Sequence, residues 1–378
     1  MTLHRLTLIA GVLLLPVALH AQPSATQRAP LPAAVADSGA IDGAPYTIAI
    51  PKDWNGGLVV FTHGYEMKGG PHFSKSANNG SLRQLFTARG FAYAASDYRA
   101  QGWAVGEGID DTEALRQYFV KTYGRPDSTY IAGQSMGGHI AIAAFEAHQA
   151  DYVGALPMCG PLTPATAFFN EGFFEGLVAF EYFFPNVLTK TPLGLADPAA
   201  PPFVAAPVIT AALQANPAGT AAFVKRFNAR PADLPGVMAF YYVMLHEMVQ
   251  RAGGLPLDNS GTVYRGYDDD AAFNRGVRRY TAAPAAAAWL RERAAPTGRI
   301  SKPVLTITTT HDPIVEPVNI NRYAAMTALQ GNGDKFLAKF VVADGHCAMG
   351  PTAIGTAFDE LRHWVATGQR PAAGEIAR

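Results

Sequence analysis

A serine between two glycines, Gly133-Gln134-Ser135-Met136-Gly137, constrains this chain more than any other feature. Residues 127–132 before it are β-prone, and residues 138–145 after it are small and apolar at helical spacing. A strand, a sharp turn and a helix in that order lift a serine hydroxyl above the edge of a sheet. Such a turn crowds the backbone against its neighbours, where a Cβ would clash, and this accounts for the glycines. The pentapeptide alone also occurs in ordinary glycine-rich turns. Its setting makes Ser135 a candidate nucleophile.

The flanking chain repeats the same alternation. Strands are expected at 45–50, at an edge, and at 58–62, 91–96, 127–132 and 152–158. Helices are expected at 81–89, with Ser81 as N-cap and Gly90 as stop, and at 110–123, closed by Gly124. The rhythm breaks near Pro161 and resumes with strands at 303–308 and 336–342 and helices near 319–329 and 352–367. Strands alternating with helices predict a mostly parallel, doubly wound sheet of about eight strands. The interruption at 161–300 is too long for a structureless loop and reads as a mainly helical cap insertion. The core therefore falls in two parts, 41–160 and 301–378.

A serine hydroxyl needs a base to take its proton, and the base needs an orienting acid. In chain order Ser…Asp…His, each partner should stand just beyond a late strand. Asp312 ends the 303–308 strand region and His346 follows the 336–342 strand. His311 is the nearest rival base. Asp344 is the rival acid, but it lies too close to His346 in sequence to reach its far ring nitrogen easily. No histidine or acid pair has metal-ligand spacing, and neither metal nor cofactor is expected.

These motifs, with Phe61-Thr62-His63-Gly64, Asp97-Tyr98-Arg99 and Asp344-Gly345-His346, resemble those of the α/β-hydrolases over the sheet portions of the chain. The resemblance implies Ser135 as nucleophile, His346 as general base and then acid, and Asp312 as orienting carboxylate. It implies an oxyanion hole from the backbone N–H groups of Met136 and Tyr65. It also makes His63 a structural residue of its turn.

Met1 to Arg5, an apolar run to Leu19 and Ala21 before Gln22 read as a signal peptide over 1–21. Residues 22–40 read as a flexible lead-in, and the expected location is secreted or periplasmic. The mature chain carries no stretch expected to span a membrane. Thirty Lys+Arg balance thirty Asp+Glu, which disfavours nucleic acid as a partner. Cys159 and Cys347 form one disulfide or remain two buried thiols; their spacing does not choose.

The expected activity is hydrolysis of a small-molecule carboxylic ester through an acyl-enzyme. The insert's Phe168, Phe169, Phe173 and Phe174, with Gln134, are candidate contacts for a hydrophobic or aromatic moiety. Packing within the cap is the alternative for those rings. A second reading is an amidase or peptidase, with Glu171, Glu175 or Glu181 meeting a substrate amine. A non-catalytic binding protein is disfavoured by the intact Ser135, Asp312 and His346.

Overall fold

The computed structural model describes residues 33–292 and 295–377; the expected leader at 1–21 lies outside them. Among the described residues the strands are β1 (Val35–Ile41), β2 (Ala44–Ile50), β3 (Gly57–Thr62), β4 (Ala92–Ser96), β5 (Ser128–Gln134), β6 (Gly154–Met158), β7 (Val304–His311), β8 (Phe336–Asp344) and β9 (Gly374–Glu375). They form one sheet in the order β1-β2-β4-β3-β5-β6-β7-β8-β9. The pairs β1/β2 and β2/β4 are antiparallel and the others parallel.

Three helices accompany the first six strands: α1 (Ala77–Thr87), α2 (Val105–Tyr123) and α3 (Met136–Ala147). Between β6 and β7 come α4 (Ala165–Phe168), α5 (Phe174–Phe183), α6 (Ala206–Ala215), α7 (Pro217–Phe227), α8 (Leu234–Ala252), α9 (Asp270–Gly276) and α10 (Pro284–Arg291). α11 (Val318–Leu329) and α12 (Gly350–Thr367) complete the set.

Period-2 alternation along the strands feeds two cores. Val59, Phe61 and Tyr93 point to one face, against Leu82 and Phe86 of α1 and Phe358 and Leu361 of α12. Leu58, Val60 and Ala94 point to the other, against Ile109 and Leu115 of α2 and Ile140 of α3. With both faces covered, β3 to β6 are buried at every residue but Ser128 at the start of β5. This mostly parallel, doubly wound sheet with its antiparallel second strand is the α/β-hydrolase fold.

Four expectations need correction. Residues 35–40 of the expected flexible lead-in belong to β1, paired along β2 from Val35↔Ile50 to Ile41↔Ala44. The two-residue link Asp42-Gly43 has φ of 49° and 85°, the geometry of a tight hairpin turn. The 45–50 strand is consequently internal, with β1 outside it. α1 begins at Ala77, capped by the Ser76 side chain accepting from the Asn79 N–H, and Ser81 lies inside it. α2 begins at Val105.

Candidate active site

The site is built at the C-terminal ends of β5, β7 and β8. At the turn from β5 into α3, Ser135 has φ 58° and ψ −127°, a conformation that costs an L-residue energy and persists only where its surroundings enforce it. The enforcement is steric. A Cβ at Gly137 would stand 2.1 Å from the Thr62 carbonyl oxygen, and one at Gly133 would stand 2.2 Å from the Gly137 carbonyl oxygen. The Thr62 hydroxyl donates to that same Gly137 carbonyl at 2.7 Å, pinning β3 to the turn.

The acid and base arrive on two cross-tied loops. β7 and β8 pair in parallel with a register shift between Thr309 and His311, which re-aims the chain just before Asp312. The Gly345 N–H donates to the His311 carbonyl (2.9 Å), and the Thr309 hydroxyl reaches the Gly345 carbonyl (3.0 Å). The buried Asp312 carboxylate accepts the Ile314 and Val315 N–H groups, both at 2.9 Å. It also accepts from His346 Nδ1 at 2.7 and 2.9 Å. This bond puts the ring proton on Nδ1 and leaves Nε2 to accept the Ser135 hydroxyl at 2.8 Å. Ser135, His346 and Asp312 are thus one hydrogen-bonded chain.

The expected oxyanion donors flank the serine. Met136 is the first residue of α3, and N–H groups of a helix's first turn have no partner within the helix. The Tyr65 segment passes over Ser135, since a Cβ at Gly64 would stand 3.1 Å from the Ser135 Cβ. The Tyr65 ring meets Phe240 of α8 edge-on, with centroids 5.6 Å apart. Its hydroxyl is buried without a hydrogen-bond partner among the described residues. Burial, then the Glu247 carboxylate, raise its pKa, so it stays a neutral phenol.

The rival groups have other partners. His311 Nε2 lies 2.9 Å from Asp233, and Asp344 pairs with Arg230. His63 stacks on Tyr98 at 4.0 Å, its Nδ1 2.8 Å from the Gly64 carbonyl oxygen, and burial lowers its pKa. His63, Glu66 and Asp97 form one of two groups, among the described residues, close enough together to hold a metal ion; Glu113, His148 and Asp151 form the other. Carboxylates of both are bonded to residues outside the groups: Glu66 accepts from Phe73 and Gln101, Asp97 from Ser74, and Glu113 from Arg116.

Cys159 and Cys347 are joined in a disulfide. It links the residue after β6 to the residue after His346. Both half-cystines have positive φ, 43° and 56°.

The aromatic residues expected to touch substrate do not line the cavity beside the site. Phe168, Phe169, Phe173 and Phe174 are buried in the apolar core that the cap shares with the sheet domain. Phe169 packs on Trp103 at 4.6 Å, Phe173 on Tyr241 at 4.6 Å and Phe174 on Tyr280 at 5.8 Å. The physical reason is amphipathic: Asn170, Glu171 and Gly172 take the exposed side of this segment, so its rings turn inward. Gln134 is buried, accepting from Asn78 Nδ2 at 3.0 Å. The three glutamates considered for an amine have cap or core partners: Glu171 pairs with Arg322, Glu175 with Arg226 and Tyr267, and Glu181 with Tyr280.

The cavity, about 350 Å³, lies instead between the acid turn at Thr310–Pro313 and helices α7 and α8. α8 therefore crosses the site, with Phe240 over Tyr65 while Tyr241 donates its hydroxyl to the Ile314 carbonyl at 2.9 Å. The long apolar run of α8 was the available signal for this, though its spacing does not tell which residues face the site.

No family model matches the chain, and no curated protein does. Among solved structures it is similar to an esterase/lipase from an uncultured bacterium, at 12% identity over 89% of this chain and 87% of that one, with a TM-score of 0.49. It is also similar to the rice cell wall degrading esterase LipA from Xanthomonas oryzae, at 16% identity over 85% and 86%, TM-score 0.44. A third is Est1E from Butyrivibrio proteoclasticus, at 12% over 87% and 99%, TM-score 0.42. At these identities the likeness is one of fold.

Proposed function

We propose that the protein is a serine hydrolase that cleaves small-molecule carboxylic esters through an acyl-enzyme. The observation carrying this reading is the unbroken chain from Ser135 Oγ through His346 to the buried Asp312, with the serine held at positive φ. In the first step the Ser135 proton passes to His346 Nε2 as Oγ bonds to the acyl carbon. The developing oxyanion is met by the Met136 and Tyr65 N–H groups. The carbon–oxygen bond to the alcohol then breaks and His346 returns the proton to the departing oxygen. Water repeats both steps to release the acid. Asp312 keeps the imidazole in the required tautomer and stabilises its charged form.

An extracytoplasmic location belongs to the same reading. It is supported by the charged, apolar and small-residue pattern of the first 21 residues and by a disulfide of a kind rare in reducing compartments.

Ser135→Ala should abolish ester turnover and labelling by a fluorophosphonate probe while leaving the circular dichroism spectrum intact. Labelling that survives the substitution overturns the assignment.

A further inference from the structure

Resting on the ester-hydrolase reading, we infer that the Cys159–Cys347 disulfide keeps a rival proton donor off the base, and that its reduction switches the enzyme off. The observation is a second group at the working nitrogen of His346. Nε2 has the Ser135 hydroxyl at 2.8 Å, and the Cys347 sulfur stands 3.5 Å from the same atom, within reach of a hydrogen bond from a thiol. Joined to Cys159, that sulfur carries no hydrogen and leaves the lone pair to Ser135.

Reduction turns the bystander into a competitor. Cys347 is partly exposed and Cys159 is fully buried, so a dithiol reductant meets the Cys347 sulfur first. Its thiolate bonds to that sulfur as the S–S bond breaks, and Cys159 departs as a thiolate that takes up a proton. The reductant's second thiol then displaces Cys347 and closes a disulfide of its own. Two electrons and two protons have passed to the protein, which now holds two thiols. A thiol is more acidic than a serine hydroxyl, and beside an imidazole it gives up its proton. The imidazolium formed at His346 cannot accept a proton from Ser135. Asp312, which stabilises the charged ring during turnover, stabilises this idle pair as well.

The sulfur stays beside the ring when the bond opens. Ahead of it, the Gly345 N–H bonds the His311 carbonyl and the Thr309 hydroxyl bonds the Gly345 carbonyl. Behind it, the buried Met349 anchors the loop. The chain has no third cysteine, so the effect is carried by these two alone.

The test compares two full-length variants that both lack the bond. Cys159→Ala leaves the Cys347 thiol beside the base, and Cys159→Ala combined with Cys347→Ala removes it. Any shift of the loop is common to both and cancels. With p-nitrophenyl acetate the single variant should have a kcat/KM at least about tenfold below that of the double variant, a part of the roughly 10²–10⁴ that a general base contributes. At about pH 6 its thiol should react with iodoacetamide at least about tenfold faster than glutathione does, as a thiolate beside an imidazolium. Adding His346→Ala should remove that excess. If Cys159→Ala misfolds, the alkylation rate of Cys347 in the reduced wild type serves instead. Equal kcat/KM in the two variants, or alkylation indifferent to His346, overturns the inference. An oxidised wild type that hydrolyses no ester would instead overturn the ester-hydrolase reading, while the alkylation rate still reports on the thiol and imidazole.

Discussion

The sheet core and the helical cap use aromatic and polar residues in opposite ways. In the core, Ser135 sits at a strained backbone position between the crowded Gly133 and Gly137, and hydrogen bonds with other elements, Thr62 to the Gly137 carbonyl and the serine to His346, hold and aim it. In the cap, rings pack on rings, as Phe273 on Tyr267 at 3.6 Å, and charged groups are matched pairwise. The difference teaches where chemistry and selection reside. A group that must be placed within a fraction of an ångström needs support from rigid strands. A pocket wall needs only shape, which packed helices provide and can vary cheaply.

The hardest test of this division is an exchange within the two core loops that also touch the cap. Asp312 is buried and bonds His346, whereas Asp344 is exposed and bonds Arg230 of the cap. Asp312→Asn should lower kcat by about 10⁴-fold, because the amide no longer holds the imidazole in its working tautomer. Asp344→Asn weakens exposed pairs with Arg230 and His311 and should leave kcat within about twofold, as surface pairs contribute little. Steady-state kinetics on one good ester decides. Comparable losses from both would mean that the cap contact takes part in placing the base.

The disulfide is the covalent form of the same boundary, running from the start of the cap segment to the histidine loop. Cys347→Ser should lower kcat by up to about 10²-fold, the cost of an ångström-scale misplacement of a catalytic group. KM should change less than kcat, since the bond acts on the loop that places His346. The same variant should lose about 2–5 kcal/mol of stability, the usual cost of removing a native disulfide. Lowered stability with kcat unchanged at a temperature where the variant is folded would reduce the bond to a staple and detach it from His346.

The core was legible because its signals are local and strict. The 2.0 and 3.6 periods, the glycines at 133 and 137, and acids and histidines just past strand ends each follow from one physical requirement. β1 escaped because Val35 to Ile41 lies at the edge and is mostly exposed, with little burial to leave a pattern. The Asp42-Gly43 pair was the readable hint of its hairpin. The cap was legible as helical and no further. An aromatic-rich segment such as 168–184 reads the same whether its rings face a substrate or one another, and only packing assigned them to the apolar core.

The smallest expected effect separates the cap's electrostatics from the catalytic core's. Burial raises the pKa of Glu181 on α5 to about 6, while its bond from the Tyr280 hydroxyl at 2.6 Å pulls the other way. A carboxyl with a folded pKa above its unfolded value favours folding while protonated. Its contribution is fully present below about pH 4.5 and is lost as pH rises through about 6. The shift of 4.5 to about 6 corresponds to roughly 2 kcal/mol at most. Glu181→Gln keeps an acceptor for Tyr280 and cannot ionise. The variant should match the wild type in Tm near pH 4.5 and exceed it by a few degrees at pH 8, with kcat and its pH profile unchanged at both. Parallel Tm profiles across this range would mean that Glu181 is solvated well enough to ionise freely. A changed kcat profile would carry the cap's charges into the chemistry, against the division drawn between the two regions.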